Sequence, residues 1–320
     1  MADQIIKLIH KAVFLAYCLF SKNKLNILIY HQVLEHKDLL RPSEPCKKEF
    51  NWQMQLVKDY FRPLPLKEAV SLLKNKKLPR GSICVTFDDG YKNNLDIAAP
   101  ILQSHGVHAT FFIATKFIDG ENMWNDSIID LFINERKQNV DLSAVGEGVV
   151  KLLNIADRRY WITKIINALK YLPVEKRQAI VDKLVADNRV HSKPKMMNVE
   201  EIKALAKLGF DIGAHTHNHP ILAAGDIKSS DIEIITSKRI LQSILGDVVD
   251  TFAYPNGKYE KDFLDTDMQL VRNAEFSLAT STDWGVNTSR DNFYRLKRFT
   301  PWDKTPLKFH LRLLKNLIGA

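Results

Sequence analysis

The stretch Ile83-Cys84-Val85-Thr86-Phe87-Asp88-Asp89-Gly90-Tyr91 decides the fold. An apolar, β-branched run reads as a buried strand, and it passes straight into two adjacent carboxylates and a glycine. In a parallel α/β sheet functional groups gather at the carboxyl ends of strands, which is where Asp88 and Asp89 fall. Two carboxylates this close raise one another's pKa unless a cation lies beside them. Taken alone, the pair also reads as a solvated Asp-Asp-Gly turn.

Outward from this stretch the chain alternates short apolar runs with helical patterns, the signature of an α/β fold with a mainly parallel sheet. Strands are predicted over 26–30, 83–87, 109–114, 210–214, 251–253 and 276–280, and helices over 50–61, 66–76, 93–105, 199–208, 227–245 and 307–317. Between 123 and 193 the pattern is helical throughout, broken at Pro173, and reads as a helical insertion in the domain that spans 25–320.

With 320 residues, 45% of them hydrophobic and 26% charged, the chain can bury a full core, so disorder is excluded. The balance of 46 Lys and Arg against 37 Asp and Glu leaves +9, which suits an anionic partner such as a membrane surface or an acidic glycan, or simply a soluble basic surface. No nucleic-acid motif is present, so nucleic acid is not expected as a partner. Cys18, Cys46 and Cys84 lack disulfide or metal spacing, which favours a reducing compartment.

Residues 1–24 form a separate segment. The run from Ala12 to Phe20 is far short of the roughly 20 residues that span a bilayer. Ser21-Lys22-Asn23-Lys24 stands where a signal-peptide cleavage site would be, so a cytoplasmic place or the inner face of the membrane is expected over secretion. Ile5, Leu8, Ile9, Ala12, Leu15, Ala16 and Leu19 recur at helical spacing with Lys7, His10 and Lys11 between them. This is a basic amphipathic helix that either lies on a membrane through residues 5–20 or packs on the domain.

A second predicted strand ends in His215-Thr216-His217-Asn218-His219-Pro220. Three histidines within five residues point to a metal, because imidazole is the commonest metal ligand. His215 and His219 converge if the chain turns helical there; His215 and His217 share a side if it stays extended.

Together these motifs resemble the NodB-homology polysaccharide deacetylases, carbohydrate esterase family 4. The resemblance rests on Thr86-Phe87-Asp88-Asp89-Gly90, on His215 to Pro220 in the form H-[ST]-x-x-H-P, on Phe252-Ala253-Tyr254-Pro255-Asn256-Gly257 and on Leu296-Lys297-Arg298-Phe299, in the family's order. It implies a distorted (β/α) barrel in which Asp88 is the catalytic base and Asp89, His215 and His219 hold a divalent metal, with zinc expected. His217 falls on a variable position beside the site, and the oxyanion donor maps to a backbone N–H near Asn256. Tyr30, Tyr254 and Trp284 are taken as substrate contacts.

Two departures from the family pattern shift roles elsewhere. Ala253 stands where an Arg commonly orients the base, which makes Arg298 the candidate for that task. The usual C-terminal Leu-x-His is absent, and His310 sits on a helical pattern that reads as packing. Tyr30-His31, ending the apolar run 26–30, resembles the Tyr-His-x-[Val/Ile] element of the poly-N-acetylglucosamine deacetylase branch, where this motif is permuted to the N-terminus. The resemblance therefore makes His31 the general acid of a metal-dependent N-deacetylase that releases acetate from an N-acetylated polysaccharide or lipid-linked glycan. One alternative is an amidohydrolase acting on a small non-sugar amide through His215-Thr216-His217, which leaves Asp88 and His31 without roles. The other is a non-catalytic glycan-binding relative, favoured by Ala253 and opposed by Asp88.

Overall fold

A computed structural model describes residues 2–120, 122–134 and 136–319; Met1 and Ala320, the outer ends of the two predicted segments, lie outside the described residues. In chain order the strands are β1 (Lys24–Tyr30), β2 (Arg62–Pro63), β3 (Ser82–Phe87), β4 (Ala109–Ile113), β5 (Asn139–Asp141), β6 (Val149–Lys151), β7 (Asp211–Ala214), β8 (Thr251–Ala253), β9 (Leu278–Thr280) and β10 (Asn287–Thr288). The helices are α1 (Ala2–Phe20), α2 (Lys47–Tyr60), α3 (Leu66–Lys74), α4 (Ala99–His105), α5 (Trp124–Asp130), α6 (Ile155–Leu169), α7 (Val174–Asp187), α8 (Val199–Lys207), α9 (Ile227–Leu245), α10 (Asp265–Asn273) and α11 (Pro306–Ile318).

The sheet runs in the order β10-β1-β3-β4-β7-β8-β9, with β2 beside β3. Every pairing in it is parallel except that of β10 with β1. Registers such as Tyr30 with Phe87 and Ile113 with Ala214 bring the carboxyl ends of neighbouring strands to one rim. The segment 296–299 closes the curl, because Leu296 bridges Thr280 at the end of β9 and Phe299 bridges Leu28 of β1. The parallel sheet expected from the alternating pattern is thus curled into the barrel that the family resemblance implies, and the last motif itself closes it.

Strand alternation divides the apolar side chains between two layers. Ile27, Cys84, Phe112, Ala253 and Leu296 pack together with Leu66, Ala69 and Leu73 of α3, while Leu28, Tyr30, Val85 and Phe87 pack with Phe50, Met54 and Leu102 of α2 and α4. At Gly213 in β7 a Cβ would stand 2.5 Å from the Phe112 ring and from Thr251 Oγ1, so this strand passes its neighbours only as glycine. Ahead of α4 the predicted single helix over 93–105 opens into a π-helical turn, Asn94–Ala98. Pro100, which has no N–H to give, sits at the start of α4, and the wider turn meets it.

The insertion is not helical throughout. α5 is followed by an antiparallel hairpin of β5 and β6, then by α6 and α7, around a core of Ile128, Phe132, Val140, Leu142, Ile162 and Leu184. Each hairpin strand has three residues and buries one, Val140 or Val150, which is too short for a period of two to show in the sequence. Arg41 Nη2 to Asp126 Oδ1 at 2.7 Å, and Lys195 to Asp130, join the insertion to the barrel.

α1 packs by one face and exposes the other. Asn26 Nδ2 donates to the Tyr17 hydroxyl at 2.6 Å, Phe14 and Tyr17 lie against Phe61, and His10 Nδ1 meets His310 Nδ1 at 3.0 Å. Burial, and then the neighbouring His10, push His310 down to about 4, so both rings are neutral near pH 7. His310 is a packing residue between α1 and α11.

Candidate active site

At the rim, β3 ends in Asp88, a fully buried carboxylate gripped from the closing segment. Arg298 Nη1 and Nη2 donate to Asp88 Oδ1 and Oδ2 at 2.7 and 2.6 Å, and Arg298 Nε donates to the Ser281 carbonyl at 2.8 Å. Burial alone would raise the Asp88 carboxyl, but the Arg298 guanidinium together with His215 and His31 outweighs it and holds the group below the usual carboxylate range. A fork on both oxygens fixes the plane of the carboxylate as well as its charge. Arg298 therefore stands where the missing Arg at 253 would have been needed. The Ala253 side chain lies in the core, and its carbonyl accepts from His215 Nδ1 at 2.7 Å.

That hydrogen bond fixes the tautomer of His215 and leaves Nε2 as a lone pair. His215 Nε2 and His219 Nε2 lie 3.4 and 3.3 Å from one atom, Asp89 Oδ1, which is buried and makes no hydrogen bond. The three donor atoms lie within 4.8 Å of one another. An orphaned buried oxygen facing two imidazole lone pairs fits a divalent cation. Burial pushes His219 down, toward the neutral form that a ligand requires. Strain gathers here too: Asp89, Thr216, His219 and Asn256 have φ of 76, 61, 52 and 56°, a left-handed conformation that non-glycine residues adopt at a cost.

The strained loop 215–219 is held from both sides. Glu233 of α9 accepts from the backbone N–H of His217 and Asn218 at 2.9 and 2.7 Å, while Arg177 of α7 donates to the carbonyls of Asn218 and His219 at 3.2 and 3.5 Å. Arg177 is buried against the Trp124 ring, 4.8 Å from its centroid. His217 bonds Thr115 Oγ1 at 2.9 Å through Nδ1, so it stands outside the triad. Outer partners of metal ligands are typically worth about 10- to 100-fold in affinity. Arg177→Met should therefore weaken the binding of a divalent cation about tenfold with the fold retained, as read by competition with a chromogenic chelator and by circular dichroism. An unchanged affinity would make Arg177 a strut of the insertion alone.

Asp88, Asp89, His215 and His219 open into a cavity of about 510 Å³, also lined by His31, Glu44, Asn256 and Trp284. His31 follows β1, and Asn94 Nδ2 of the π-helical turn holds its carbonyl at 2.9 Å. Burial would lower the His31 pKa, but Asp89, Glu44 and Asp88 together raise it above the ordinary histidine value. The Asn256 N–H donates to no other described residue, and its carbonyl accepts from Thr282 Oγ1. Trp284 is 46% exposed and tilts against Trp302 with centroids 4.6 Å apart, an aromatic wall at the mouth.

Two predicted substrate contacts are corrected. Tyr30 is buried between Phe50 and Phe87 with its hydroxyl on Gln53 Oε1, and Tyr254 is stacked on Phe263 with its hydroxyl on the Tyr294 carbonyl. Both are core side chains. Arg177, Glu44 and Glu233 were missed by sequence reasoning. Arg177 had a signal, since it shares the spacing of the buried Val181 and Leu184 on α7.

The polysaccharide deacetylase family profile matches residues 75–143 and 155–273, more than half of the chain. The chain is 31% identical over 124 residues to the poly-beta-1,6-N-acetyl-D-glucosamine N-deacetylase of Staphylococcus epidermidis, a match covering 34% of this chain and 43% of that protein. The match spans less than half the length of the curated relatives it aligns with. Among solved structures, IcaB from Ammonifex degensii superposes with a TM-score of 0.60 at 20% identity, covering 92% of this chain and 97% of that one. The Streptococcus pyogenes deacetylase PplD, solved in complex with acetate, does so with 0.60 at 19%, covering 91% and 98%. At these identities the two structures speak for the shared fold.

Proposed function

Because the chain belongs to the polysaccharide deacetylase family, we propose that it hydrolyses N-acetyl groups of an N-acetylated glycan and releases acetate. The observation that carries this reading is the division of labour at the end of β3. Asp88 is clamped by Arg298, while the neighbouring Asp89 presents an orphaned oxygen to His215 and His219. A glycan-binding module has no use for a buried, pre-ionised carboxylate beside such a cluster.

Asp89, His215 and His219 would hold a divalent cation, and two imidazoles with one carboxylate suit zinc. Bound there, such an ion would supply a Lewis acid for the acetyl carbonyl and would lower the pKa of water toward about 7. Asp88 is ionised, and each of its oxygens keeps a lone pair beyond the Arg298 bond, so it accepts the proton of the attacking water. The Asn256 N–H is free to donate to the oxygen on which negative charge develops. His31, whose protonated form its anionic neighbours favour, gives its proton to the departing amine. Trp284 offers a flat apolar face at the mouth for a sugar ring.

The substrate class proposed is a β-1,6-linked N-acetylglucosamine polymer or its lipid-linked precursor, supported by the relative named above. The test incubates the zinc-loaded protein with N-acetylated β-1,6 and β-1,4 glucosamine oligomers and with a cyclic amide, and measures acetate and free amine. Acetate matched by new amine on a glucosamine oligomer, and lost in Asp88→Asn, is the expected result. Hydrolysis of the cyclic amide with no acetate from any glycan would install the amidohydrolase alternative.

A further inference from the structure

The exposed face of α1 has no role in the chemistry above. On a helical projection Leu15, Leu8, Leu19, Ala12, Ile5, Ala16 and Ile9 fill one continuous sector, opposite the packed sector of His10, Phe14 and Tyr17. Leu8, Leu15 and Leu19 are 65, 58 and 73% exposed, values that a helix packed by its apolar side does not show. Lys11 stands beside this sector, and Lys7 lies farther round, between Lys11 and Phe14. α11, joined to α1 through His310, repeats the pattern: Leu307, Leu311 and Ile318 form an exposed stripe, with Lys308 and Lys315 along its edge.

The charge is concentrated in the same place. Residues 2–24 carry Lys7, Lys11, Lys22 and Lys24 against the single acid Asp3; residues 303–319 carry Lys304, Lys308, Arg312 and Lys315 against the single acid Asp303, which pairs with Arg312. Each stretch nets four positive charges less one negative, so together they supply +6 of the chain's +9. No helix among the described residues is long and apolar enough to cross a membrane. A helix of 19 residues, about 28 Å long, with an apolar sector edged by lysine is built to lie in the plane of a bilayer.

We propose that α1, with the adjoining edge of α11, is a docking surface for anionic lipid, embedding Ile5, Leu8, Leu15 and Leu19 among the acyl chains while the lysines meet the headgroups. A second copy of the chain is disfavoured as the occupant, because face-to-face contact would set the lysine-bearing helices of two +9 chains against each other. The docking is independent of the proposed activity and is tested without it.

The full chain is sedimented with phosphatidylcholine vesicles containing or lacking phosphatidylglycerol, over a range of salt. Wild type should bind the phosphatidylglycerol vesicles and dissociate as salt rises. Leu8→Glu/Leu15→Glu/Leu19→Glu should lower partitioning by about a hundredfold with an unchanged circular dichroism spectrum, since no substituted side chain is packed. Lys7→Gln/Lys11→Gln should weaken it roughly fivefold per lysine and flatten the salt dependence, and this variant serves if the triple one misfolds. Wild type left in the supernatant at low salt, or unaltered partitioning of both variants, would overturn the proposal. So would light scattering that finds a dimer in the wild type and a monomer in the triple variant, which would assign the face to a second copy.

Discussion

The His219→Ala protein should fold, retain no zinc through dialysis and lose activity by about a thousandfold or more. The magnitude follows from the several kcal/mol that a metal contributes to stabilising developing charge. Removing His219 leaves Asp89 Oδ1 with a single imidazole opposite, and the loop loses the ligand that its left-handed backbone presents. His217→Ala is the matched control. Its ring bonds Thr115 and lies outside the triad, so this variant should keep most of the zinc and most of the activity. Elemental analysis and acetate release on both proteins check the pair. Full zinc content in His219→Ala, or zinc lost only in His217→Ala, would reassign the ligands.

His31→Ala should lower turnover by about 100- to 10,000-fold with zinc content intact, the usual contribution of a positioned general acid. The amine is a poor leaving group until protonated, and His31 is the histidine in the cavity that belongs to no ligand set. Despite burial, its pKa is raised above the ordinary histidine value by Asp89, Glu44 and Asp88, so the acid form persists to higher pH than in a free histidine and is lost as pH rises through that raised value. The alkaline limb of the pH–rate profile should therefore disappear in His31→Ala. With a dication compensating Asp89, Glu44 is the neighbour that sustains this shift, and Glu44→Gln should move the limb to lower pH. His310→Ala should leave turnover untouched, because that ring is sealed between α1 and α11. Turnover of His31→Ala within twofold of wild type would remove the acid role.

The rim of the barrel was legible because its chemistry is contiguous in sequence. Asp88-Asp89-Gly90 and the H-[ST]-x-x-H-P run each end a strand, and parallel strands carry such ends to one place. The choice between His217 and His219 was open from spacing alone, since it turns on φ values of 61° at Thr216 and 52° at His219. Arg298 was reachable by asking what replaces an absent arginine. That its segment also closes the barrel depends on long-range bridges to β1 and β9 that no local pattern encodes. The placement of Tyr30 was an avoidable error: consecutive strand residues point to opposite faces, so a cavity position for His31 puts Tyr30 in the core. The hairpin in the insertion was out of reach, because each of its strands buries one side chain. Of the two readings of the N-terminal helix, the structure shows packing through His10, Phe14 and Tyr17, whereas the apolar positions picked out by spacing are the exposed ones and their contact with a membrane stays a proposal.

The most direct test of a metal-dependent deacetylase built on Asp88 and Asp89 is acetate release from a β-1,6 N-acetylglucosamine oligomer as zinc is titrated into chelator-stripped protein. The account predicts no acetate from the stripped protein, a rise that levels off at one equivalent of zinc, and no acetate from Asp88→Asn although it takes up its equivalent. Acetate release by the stripped protein at the rate of the zinc-loaded one, or by Asp88→Asn at the rate of wild type, would contradict it.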